Sequence, residues 1–158
     1  MFSTDWAKVS SFLDNLTKDA KEAFVKVAPS AMNPTKRFVN AIASACALVT
    51  VADKKVEATE INDMMSFIHE IQQIQENDLH NFATAAYKNA TVELEATLAN
   101  DANFTFKKQE LLDSIRAVKE DESHVQMIEA LLNVLFTQYS KTSPEEIAMM
   151  AEIKKVIK

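Results

Sequence analysis

The residues of this chain that could do chemistry gather first between positions 53 and 63. Asp53, Glu57, Glu60 and Asp63 occupy one loop and the helix start after it. Hard cations such as Ca²⁺ and Mg²⁺ need several carboxylate oxygens together, so these four are the candidate metal ligands. Glu60 and Asp63, three apart, share one helix face, with Asp53 one loop earlier. A plainer reading covers the same residues: Glu57 and Glu60 favour a helix N-terminus, and Asp53 ends a turn. The spacing is not that of an EF-hand loop, and Lys54 and Lys55 oppose a cation electrostatically.

The other reactive types point to structure. His69, His80 and His124 stand in no H-E-x-x-H or E-x-x-H arrangement, which leaves zincin and di-iron carboxylate sites unsupported. Asp121 three residues before His124 reads as a capping acid beside a surface histidine. Cys46 lies in the most apolar stretch and reads as a buried, inert thiol. The methionines sit mostly at helical spacing, as core filling. Met64-Met65 and Met149-Met150 fall in related places of a repeat described below, and an exposed pair would make an adaptable interaction surface.

Composition bounds the scaffold that must position these residues. The 158 residues contain no glycine, where an average chain would carry about eleven. Without glycine, tight hairpins and close backbone approach to ligands become difficult, whereas helices lose least. The same absence removes glycine-rich phosphate loops, dinucleotide fingerprints and nucleophile elbows, and the chain reads as a non-enzyme. A net charge of -6 disfavours binding to nucleic-acid phosphate. One cysteine permits no internal disulfide and suits a reducing compartment. The amphipathic N-terminus lacks the apolar core of a signal peptide, and no apolar run exceeds five residues. A cytoplasmic location is expected.

Periodicity supplies the elements. Residues 1–30 are set apart from 31–158 as an amphipathic N-terminal helix, from about Thr4 to Val27. Its stripe holds Trp6, Phe12 and Phe24, flanked by Lys8, Lys18, Lys21 and Lys26. Trp6, Phe12, Lys18 and Lys21 are the candidate partner-binding residues, because such a stripe can grip a partner or lie on an anionic membrane. Docking onto its own domain is the simpler use. Asn33-Pro34 opens a second helix to about Ala52, apolar on nearly every side. A third begins near Ala58 and carries Ile61, Met64, Met65, Ile68, Ile71 and Ile74 inward. Asn77 or Asp78 is read as the cap of a helix to Tyr87, and Thr91 as the cap of a shorter one to Leu98. Phe104 to Val118 and Val125 to Phe136 follow as helices. Ser143-Pro144, with Glu146 three after the cap, reads as a capping box.

Shifted by 86 positions, residues 40–71 overlay 126–157 without a gap. Ile42 meets Ile128, Lys55 meets Lys141, Glu60 meets Glu146, Ile61 meets Ile147, Met64 meets Met150 and Ile71 meets Ile157. Each copy is an apolar helix, a short polar loop and a helix opening on Glu, which predicts a pseudo-two-fold helical domain. The first copy reads Ala52-Asp53-Lys54-Lys55-Val56-Glu57-Ala58-Thr59-Glu60-Ile61. In this the chain resembles the TerB-like family, the tellurite-resistance TerB proteins and the N-terminal region of DjlA-type co-chaperones. Their recurring element is an apolar helix ending in Ala-Asp-Gly, then a small hydrophobe, with Glu seven residues after the Asp. Lys54 stands where the family has glycine, and Tyr139-Ser140 replaces Asp-Gly in the second copy.

The resemblance implies a compact all-α bundle of about seven helices, a role in tellurite or other chemical stress, and metal binding by acidic loops. The expected function is a non-enzymatic protein-interaction module in stress or phage defence, with a protein partner and no cofactor. Two alternatives stand beside it. One is a Ca²⁺- or Mg²⁺-binding protein using Asp53, Glu57, Glu60 and Asp63. The other is a phage or assembly protein, a homo-oligomer joined through the N-terminal helix or a peripheral membrane protein.

Overall fold

Asn33 caps the first described helix. Its side chain accepts a hydrogen bond from Lys36 N at 2.8 Å, and Pro34 follows at the first helical position, where its missing N–H costs nothing. The computed structural model describes residues 33–138 and 143–158. The expected helix over residues 1–30, with Trp6, Phe12, Lys18 and Lys21, lies outside the described residues, as do Tyr139 to Thr142.

The described residues form seven helices and no strand: α1 Pro34–Val51, α2 Ala58–His69, α3 Gln72–Glu76, α4 His80–Ala96, α5 Asp101–Arg116, α6 Glu122–Gln138 and α7 Pro144–Val156. None is long and apolar enough to cross a membrane. The all-α bundle expected from composition is the fold observed.

Helix α1 is its axis. Every residue from Ala41 to Val51 is buried, because α1 packs chiefly against α4 and α5 and also meets α2, α3 and α7. Ala41, Ala43, Ala45 and Ala47 keep its surface shallow, so neighbouring backbones approach closely. Leu48, fully enclosed, contributes roughly 1.5–3 kcal/mol by leaving water. The buried polar groups inside this core satisfy one another. Thr50 donates to the Cys46 carbonyl at 2.8 Å and receives the Tyr87 hydroxyl at 2.7 Å, tying α1 to α4. Among the described residues no buried side-chain polar atom lacks a partner, which is what a low-dielectric core requires.

Three expected boundaries move. The helix from Ala58 does not continue through Ile74. It stops at His69, Ile71 is extended, and α3 carries Ile74 into the core on a separate turn. The break re-aims the chain while keeping both isoleucines buried. Asn77 and Asp78 do not cap α4. Leu79 occupies the cap without a side-chain bond, and Asp78 takes a left-handed φ of 52°. Thr91 starts no helix either, since α4 runs through it to Ala96. Its hydroxyl instead bonds back to the Tyr87 carbonyl at 2.8 Å, the way a buried threonine is satisfied mid-helix.

The positions matched by the 86-residue shift are partly alike. Ile42 and Ile128, Met64 and Met150, and Ile71 and Ile157 are all buried. Two pairs part company: Leu48 is 0% exposed against 44% for Val134, and Ile61 is 6% against 46% for Ile147. Met64, Met65, Met149 and Met150 all lie in the core, so neither methionine pair forms the exposed adaptable surface considered above.

Candidate functional site: a carboxylate corner at two helix starts

The loop after α1 is built by a polar turn. Lys54 N bonds the Val51 carbonyl at 2.9 Å, and Asp53 Oδ1 accepts from Lys55 N at 3.0 Å. Closing that turn puts Lys54 at φ 61°, the left-handed region that favours glycine. Its side chain reaches α5, where Nζ lies 3.4 Å from Asp101 and 5.9 Å from the centre of the Phe104 ring.

Beyond the turn, Glu57 takes the cap position of α2 but makes no side-chain capping bond, and Glu60 sits in the first turn. Burial pushes the Glu60 carboxyl up to about 7, and the charges of Asp53, Glu57 and Glu146 push the same way. Glu146 comes from the first turn of α7. Ser143 accepts from Glu146 N at 3.1 Å while the Glu146 carboxylate accepts from Ser143 N at 3.2 Å, the reciprocal capping box expected from sequence. The starts of α2 and α7 therefore turn their acids toward one corner.

Of the four candidate ligands, Asp53 and Glu57 act through their charge on Glu60. Asp63 is exposed one turn further along α2 and is not among the charges that raise Glu60. Glu146, absent from the candidate set, is. The available signal was its pairing with Glu60 in the repeat. The donor set is all oxygen, the type that suits hard cations. As placed, no three Asp, Glu, His or Cys residues among the described residues converge into a group that could hold a metal ion. One Asp53 oxygen and one Glu146 oxygen already serve the turn and the cap.

The remaining candidates have structural surroundings. Burial raises the Cys46 thiol to about 12, keeping it protonated and unreactive. His124 stacks on Phe38 with ring centres 4.5 Å apart, and its Nδ1 lies 3.2 Å from Asp121 Oδ2. Asp121 also accepts from His124 N at 3.1 Å, the capping role read from sequence. His69 and His80 meet at the far end of α2, an approach that spacing alone did not suggest.

Compared with protein-family models, curated proteins and solved structures, the chain has no match in any of the three.

Proposed function

We propose that this protein is a non-enzymatic, TerB-like interaction module of the cytoplasm, acting in chemical stress, tellurite stress included, or in phage defence. The observation that carries the reading is the carboxylate corner. Burial, with the like charges of Asp53, Glu57 and Glu146 adding to it, holds the Glu60 carboxyl up at about 7. Mutual repulsion of this kind is relieved by a cationic partner surface, which binds more tightly for that reason. The left-handed Lys54 supports the family likeness, since a glycine position would have that backbone. Affinity purification of the full chain from its native cell tests the reading. The expected result is a protein partner lost on combining Asp53→Ala with Glu60→Ala. Deleting residues 1–30 reports separately on Trp6, Phe12, Lys18 and Lys21. A partner retained by both variants defeats both site assignments.

The same repulsion supports a second reading, a divalent cation drawn to the corner. Binding to the folded state alone would raise the melting temperature by mass action. An unchanged melting temperature in millimolar Ca²⁺ and Mg²⁺ rejects it.

A further inference from the structure

At the end of α2 opposite the carboxylate corner, two imidazoles from different helices come together. His69 is the last residue of α2 and His80 the first of α4. Their ring centres lie 5.2 Å apart with planes at 78°. Both side chains are half-buried, held by the fold yet reachable from solvent. We propose that His69 and His80 form a two-imidazole site for a borderline divalent cation of the Zn²⁺, Co²⁺ and Ni²⁺ class, with water completing the coordination.

Two features support this. First, imidazole nitrogens about 2.1 Å from one tetrahedral ion place their ring centres roughly 5 Å apart, which matches the observed separation. Second, His69 is supported as a metal ligand is. Its Nε2 lies 2.8 Å from Thr84 Oγ1, and its carbonyl accepts from Gln75 Nε2 at 3.0 Å. With Nε2–H donating to Thr84, Nδ1 keeps the lone pair a cation needs, and the ring is oriented by its second bond. Two imidazole nitrogens favour ions that bind imidazole strongly over Ca²⁺ and Mg²⁺, which want oxygen.

The test uses the full chain near neutral pH, free of chelator, titrated with Zn²⁺, Co²⁺ or Ni²⁺. Thermal unfolding reads the affinity. Paramagnetic broadening by Co²⁺ or Ni²⁺ in amide NMR spectra reads the place. The expected result is a saturable rise in melting temperature at micromolar ion, reversed by chelator, with amides beside His69 and His80 broadened first. His80→Gln, at an accessible helix start, should abolish the rise. Thr84→Val should weaken binding about tenfold, the usual effect of losing an orienting partner. Glu60→Gln and His124→Gln should leave it unchanged. The proposal is overturned if the wild type shows no saturable response below millimolar ion. It is equally overturned if His80→Gln binds as tightly as wild type, or if broadening starts at His124.

Discussion

Lys54 shows how much one residue reveals once its backbone is known. Its φ of 61° costs a residue bearing a Cβ of order 1 kcal/mol. Contacts with Asp101 and Phe104 return part of that, but exposed ion pairs contribute little. Lys54→Gly should therefore stabilise the protein by about 0.5 kcal/mol, read as a higher midpoint in urea with an unchanged slope. A lower midpoint would show that the two contacts outweigh the strain. Glu60 gives the second residue-scale prediction. Its folded pKa of about 7 exceeds the ordinary 4.5, so between those values the native state holds more protons than the unfolded one. Stability then falls as pH rises from about 4.5 to 7, and the loss is complete above that window. After a discount for solvent screening the loss is about 1 kcal/mol. Glu60→Gln should stabilise by that amount at pH 8 and by almost nothing at pH 4. Equal effects at both pH values would show that burial and the neighbouring acids do not raise this carboxyl.

At the scale of the element, the capped helices were the most legible. Asn33-Pro34 and Ser143-Pro144 marked α1 and α7 because cap chemistry is local and needs no knowledge of the rest of the chain. Helix α4 was misread for the complementary reason. Thr91 has a capping residue's chemistry, but burial against α1 gives its hydroxyl a backbone carbonyl one turn back instead. Likewise Ile71 and Ile74 keep helical spacing across a break that only packing explains. The repeat makes its own prediction at this scale. Leu48 and Val134 are matched by the 86-residue shift, yet one is enclosed and the other 44% exposed. Leu48→Ala should cost about 2–5 kcal/mol, and Val134→Ala about 0.5 kcal/mol or less. Chemical denaturation of the two variants checks this, and similar losses would mean that both copies bury this position alike.

For the whole molecule, the lack of glycine and the apolar centre of α1 were enough to read an all-helical bundle, because both constrain every element at once. The candidate site was only half legible. Asp53, Glu57 and Glu60 are close in sequence, but Glu146 joins them through packing of α7, and His69 meets His80 only because α3 turns the chain between them. Long-range approach of this kind leaves no periodic trace.

The enclosure of α1 also has a consequence during synthesis. The helices that wrap it, α4 and α5, follow it in the chain and end only at Arg116. At typical elongation rates of about 5–20 residues per second, α1 would wait roughly three to thirteen seconds on the ribosome before its covering is complete. Over that interval its most oil-like segment is the nascent chain's chief liability for aggregation and its natural point of contact with a chaperone.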